Sequence, residues 1–168
     1  MLRPPLLLFL FTLLFLAGCA SPPPYRYHYV PGRTAVLSGK CAVAPPSAPA
    51  EVEAAIAAGN RIAGLPYRYG AGHGRGIDSA YDCSGAASFV LEATGRLGGP
   101  VPSRTFRHYG EPGEGRWVSI YARKDHVFLV VAGLRFDTTS WGGGPRGPQW
   151  TTHSRPADGC VIRHPVGL

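Results

Sequence analysis

One thiol and one imidazole stand out by their surroundings. Cys83 lies in Asp82-Cys83-Ser84-Gly85, where a loop of small and polar residues gives way to an apolar segment. In residues 86–94, Ala87, Val90 and Leu91 recur at helical spacing and Gly95 follows as a stop, so a helix is predicted with Cys83 in its first turn. A thiol there feels the positive end of the helix dipole and unpaired backbone N–H groups, which favour thiolate, the nucleophilic form. The same N–H groups can receive the oxyanion that forms when thiolate attacks a carbonyl. His126 opens the run Val127-Phe128-Leu129-Val130-Val131, which reads as a buried strand with one polar group at its start. A helix-borne Cys and a strand-borne His, far apart in sequence, make a nucleophile–base dyad for amide or ester cleavage.

Other elements must bring these two together. Residues 51–63 predict a first helix, with Val52, Ile56 and Ala63 on one face and Glu51 and Glu53 near its positive end. Residues 103–109 read as a short helix or coil, and residues 116–121 as a strand rich in β-formers. The strand after His126 turns at Ala132-Gly133 into residues 135–139, a hairpin, and residues 141–148 read as an irregular loop and candidate cleft wall. Residues 159–163 supply a last strand. Helices first and an antiparallel sheet afterwards predict an α+β fold.

The set Pro66-Tyr67-Arg68-Tyr69-Gly70, then Asp82-Cys83-Ser84-Gly85, then His126-Val127 ahead of a hairpin resembles the NlpC family of bacterial cell-wall cysteine peptidases. The resemblance covers roughly residues 50–165. It implies a papain-like core with the nucleophile-bearing helix packed on an antiparallel sheet. It also implies cleavage of a peptidoglycan stem peptide between γ-D-glutamyl and the diamino acid, with Cys83 as nucleophile and His126 as base and then acid. Tyr67 is implied beside the nucleophile, and Asp82 and Ser84 as contacts for the substrate's amino end. The family usually carries a His that orients the catalytic one. Here Thr138 falls at that place, or Asp137 if the turn is one residue shorter. Asp137 is the expected choice, since only a carboxylate stabilises an imidazolium by charge; Thr138 is the runner-up. The link at residues 71–81 is longer than usual in the family, and Ala86-Ala87 are smaller than usual.

The N-terminus carries its own signals. Met1-Leu2-Arg3 precedes an apolar run at residues 6–16, too short to span a bilayer, which takes about 20 residues. It reads as a secretory signal. Leu16-Ala17-Gly18-Cys19 resembles the lipobox of bacterial lipoproteins, which implies cleavage and lipidation at Cys19. Ala20-Ser21 lacks an inner-membrane retention aspartate, so a lipid anchor in the outer membrane, facing the periplasm, is expected. The predicted organisation is a signal peptide at 1–18, a Pro/Tyr-rich tether at 19–49 and the catalytic domain at 50–168. The tyrosines of the tether could pack on the domain or bind a partner; an inert tether is the expectation. With Cys19 and Cys83 assigned, Cys41 and Cys160 are left in an oxidising setting and are predicted to form a disulfide.

The formal charge of +7 is scattered rather than striped. Together with export this argues against nucleic acid and suits an anionic wall polymer. The remaining histidines, His28, His73, His108, His153 and His164, show no metal-ligand spacing, and no CxxC occurs, so no metal or cofactor is expected. The glycines of residues 70–76 lack the Lys-Ser/Thr of a phosphate loop. The predicted protein is a monomeric, membrane-anchored thiol hydrolase. Acyl transfer or amidase chemistry on the same fold is one alternative, and a non-catalytic wall-binding lipoprotein is the other.

Overall fold

The computed structural model describes residues 21–139 and 145–168. The predicted signal peptide, Cys19 and Trp141 lie outside the described residues. The rest is a mixed fold of helices and antiparallel sheets, as the order of elements predicts. A small hairpin, β1 (Val36–Ser38) and β2 (Cys41–Val43), precedes α1 (Ala50–Ile62), α2 (Cys83–Glu92) and the single turn α3 (Ser103–Phe106). Six strands follow: β3 (Glu111–Pro112), β4 (Val118–Ala122), β5 (Val127–Val131), β6 (Leu134–Thr139), β7 (Pro145–Thr151) and β8 (Val161–His164). Their order in the sheet is β3-β8-β4-β5-β6-β7, all antiparallel.

The strands alternate side chains between two faces. Val118, Ile120, Val127, Leu129, Val131, Leu134 and Phe136 join the core that takes in Val52, Ile56 and Ile62 of α1 and Val90 and Leu91 of α2. Burying each of these large apolar side chains stabilises the fold by about 1.5–3 kcal/mol. α1 runs from Pro49 with Glu51 and Glu53 in its first turn, where negative charge meets the positive end of the dipole. Gly59, which would only weaken an isolated helix, has a packing reason: a Cβ there would run into the Trp150 indole. The Asn60 side chain bonds both ways with the Ala42 backbone, at 2.8 and 2.9 Å, and so ties β2 to α1.

Residues 25–49 are not a tether. Tyr25 forms a two-way backbone bridge with Arg155, at 2.8 and 3.0 Å, and is buried with Tyr121, Phe128, Ala157 and Cys160 on the second face of the sheet. Tyr27 donates to the Ala35 carbonyl, and Ala35 N–H donates to Ala132. Prolines stop this stretch from forming a helix but leave extended backbone free to pair and cover a sheet. The domain therefore begins well before residue 50, and the proline cluster at residues 45–49 is the turn into α1. Residues 145–148 are also more regular than expected, since they open β7. Pro145 and Pro148 are tolerated because β7 is the last strand of the sheet, with no further strand to which an N–H must donate.

Candidate active site

α2 places Cys83 at its first residue. Asp82 is the N-cap, and its carboxylate accepts from Gly85 N–H at 2.7 Å, which fixes the first turn. The same carboxylate accepts from Gly70 N–H at 2.9 Å and Ser84 Oγ at 2.9 Å, and pairs with His73 Nε2 at 3.1 Å. One side chain thus locks the helix start to the glycine loop before it. The loop passes so close to α2 that a Cβ on Gly85 would strike the Ala71 carbonyl and Gly72. By their position in the first turn, the N–H groups of Cys83 and Ser84 have no acceptor within the helix.

His126 sits just ahead of β5. Its Nε2 meets Asp137 Oδ1 at 3.0 Å, which leaves the other ring nitrogen free, and Cys83 lies near enough to act on the ring's charge. The two-residue turn at Ala132 and Gly133, both at positive φ, sets β5 and β6 in register with Val131 opposite Leu134 and Leu129 opposite Phe136. Counting outward, Asp137 shares a face with His126, and Thr138 points to the other. Asp137, not Thr138, therefore orients the imidazole; among the described residues the buried Thr138 Oγ1 has no hydrogen-bond partner.

Asp137 is enclosed. Oδ1 also accepts from Thr139 N–H at 3.1 Å, while Oδ2 faces Arg135 Nε at 3.6 Å and Arg155 Nε at 3.7 Å. Burial alone would raise its pKa, but the His126 bond and charge, with the two guanidinium groups, outweigh that and hold it below the usual carboxylate value. For His126, burial disfavours the charged ring, yet the bond to Asp137 and the charges of Asp137 and Cys83 win and raise it to about 9. The imidazolium is therefore the stable form at neutral pH, which suits a thiolate partner.

A cleft of about 800 Å³ opens on Cys83, with Tyr67, His73, Asp82, Ser84, Arg104 and Lys124 among its walls. Tyr67 stands near enough that burial, then the charges of Cys83 and Asp82, push its phenol upward. Of the residues named from sequence, Tyr67, Asp82, Cys83 and Ser84 line this cleft, while His126 lines a second hollow that shares Asp125 with it, acts on Cys83 by charge and is backed by the buried Asp137. His73 was missed, because its loop position, nine residues before Asp82, carries no periodic signal.

The disulfide is a correction. Cys41 and Cys160 are both free: Cys41 is exposed on the hairpin tied to α1, while Cys160 is buried with Tyr121 and Phe128 on the second face. Elimination among four cysteines ignored that these two belong to separately packed parts of the domain. Among the described residues, no group of three or more His, Cys, Asp or Glu side chains is arranged to hold a metal. Comparison with models of protein families and with curated proteins gives no match to this chain.

Proposed function

We propose that the chain is a thiol hydrolase of the NlpC kind, with a papain-like core, that cleaves amide bonds in peptidoglycan stem peptides. The observation that carries this reading is the order Cys83–His126–Asp137, with the thiol on a helix N-terminus and the imidazole held by a buried carboxylate. Cys83 thiolate attacks the scissile carbonyl, and its N–H groups at the start of α2, with Tyr67 nearby, receive the oxyanion. His126 gives its proton to the departing amine, leaving a thioester on Cys83. The neutral imidazole then takes a proton from water as that water attacks the thioester; the acid leaves and Cys83 is restored. The resemblance to the family supplies the substrate, the γ-D-glutamyl to diamino acid bond. By the same resemblance and the lipobox, export and a lipid on Cys19 place the domain in the periplasm.

Asp82 enters this scheme mainly as a support, since its oxygens already hold four protein partners, with Ser84 beside it on the cleft wall. The test is digestion of purified peptidoglycan, with products read by mass spectrometry. Stem-peptide fragments are expected from the wild type and none from Cys83→Ala, whose fold should persist. Wall binding without turnover, unchanged by Cys83→Ala, would instead establish a binding protein.

A further inference from the structure

The buried Asp137 presents a physical problem. Its Oδ2 has no hydrogen-bond partner among the described residues, yet it faces two guanidinium groups beyond hydrogen-bond distance. A buried carboxylate so poorly satisfied would turn or take up a proton unless those cations were fixed. Arg135 is itself 2% exposed, a costly place for a charge. The Arg135 guanidinium donates to the Ser154 carbonyl at 3.2 Å and that of Arg155 lies over the Phe128 ring, but the backbone that carries both arginines is held from the far end of the chain. Tyr25 Oη accepts from Arg135 N–H at 3.2 Å and donates to the Gly133 carbonyl at 2.9 Å. The Arg135 guanidinium lies 6.0 Å from the Tyr25 ring centre, and the Tyr25 backbone pairs both ways with Arg155. Burial raises the Tyr25 phenol to about 12, so the hydroxyl keeps both roles at any physiological pH.

We propose that Tyr25 is a positioning residue of the active site: by holding Arg135 and Arg155 it sets Asp137, Asp137 sets the His126 ring, and the Cys83–His126 pair is complete only while the segment carrying Tyr25 lies on the sheet. The inference rests on the Cys83–His126 pair of the proposed function. No step of that reaction needs Tyr25 to touch substrate, and the cleft at Cys83 does not include it. The charged and titratable groups around Tyr25, Asp137 and His126 are Tyr27 beside Tyr25, Tyr121 on β4 with Glu114 on its hydroxyl, Arg135 on β6, Arg155, Asp158 and Cys160 ahead of β8, Arg123 and Asp125 in the β4–β5 turn, and Cys83 on α2.

The test uses the full-length chain in detergent micelles and needs no cell-wall substrate. His126 is titrated by NMR, and the alkylation rate of Cys83 by iodoacetamide at pH 7 is read peptide by peptide with mass spectrometry. Tyr25→Ala should lower the His126 midpoint from about 9 by at least about one pH unit and slow Cys83 alkylation about tenfold. Tyr25→Phe guards against a folding failure, because it keeps the ring and the backbone bridge; losing both hydroxyl bonds, it should slow alkylation several-fold. If Tyr25 only stabilises the fold, both variants melt earlier with midpoint and rate unmoved, which overturns the inference and leaves the proposed function standing. A wild-type His126 that titrates near the ordinary value of about 6.5 would overturn the paired site, and this inference with it.

Discussion

Asp137→Asn separates the charge of the third residue from its shape. The amide keeps an oxygen where Oδ1 now meets His126 Nε2 at 3.0 Å, so the ring can stay oriented while its counter-charge disappears. In the wild type, the rise of His126 from 6.5 to about 9 favours the charged ring by about 3 kcal/mol, at about 1.4 kcal/mol per pH unit. The ring's side chain is 10% exposed, so solvent screens little of this. Because the folded value lies above the unfolded one, this stability is fully present below about pH 6.5 and is lost as pH rises through about 9. Wild-type unfolding free energy should therefore fall by about 3 kcal/mol between pH 6 and pH 9 on this account. In the Asn variant, burial opposes the charge and Arg135 and Arg155 repel it, with only the Cys83 interactions in its favour. Its His126 midpoint should drop to the ordinary value of about 6.5 or below, and the fall in stability above pH 6 should largely vanish. NMR titration of His126 and urea unfolding at the two pH values measure both. An Asn variant that still titrates near 9 would refute the account, since Asp137 would then not be the source of the raised value.

Further outcomes are expected elsewhere. Gly85→Ala would push a Cβ into the backbone of Ala71 and Gly72, so urea unfolding should show a loss of about 1–3 kcal/mol, with Cys83 alkylation slowed as the helix start is displaced. Unchanged stability would mean the loop yields freely. Cys19→Ala should accumulate as unprocessed precursor or as a mislocalised protein in membrane fractionation; normal maturation and membrane retention would remove the lipid anchor from the scheme.

The site was legible because its parts announce themselves locally. Cys83 follows a capping aspartate and precedes helical periodicity, and His126 heads a continuous apolar run, so each can be placed on its element without tertiary information. The choice between Asp137 and Thr138 was also available, through the two-residue turn and the alternation of the strand. What stayed hidden depends on partners remote in sequence. Tyr25 finds its contacts on Gly133, Arg135 and Arg155, and only the alternation of Tyr25 and Tyr27 with exposed residues hinted at a covered strand. His73 reaches Asp82 through loop geometry that no propensity encodes. Residues 145–148 were obscured by glycine and proline, whose effect on a strand reverses at the edge of a sheet.

The tight turn at Ala132 and Gly133 also limits how this chain can diverge. A residue added there that entered the ladder would slide β6 by one place, turn Phe136 toward Arg155 and drive Arg135 and Asp137 together into the helix-covered core. Two added residues would restore the original facing, and a single one survives only if it is looped out as a bulge. Gly133 has little room to adapt, because a Cβ on it would crowd Thr34 from the N-terminal segment. Length changes at this hairpin should therefore be filtered by parity: odd insertions disarm the histidine, while even ones pass.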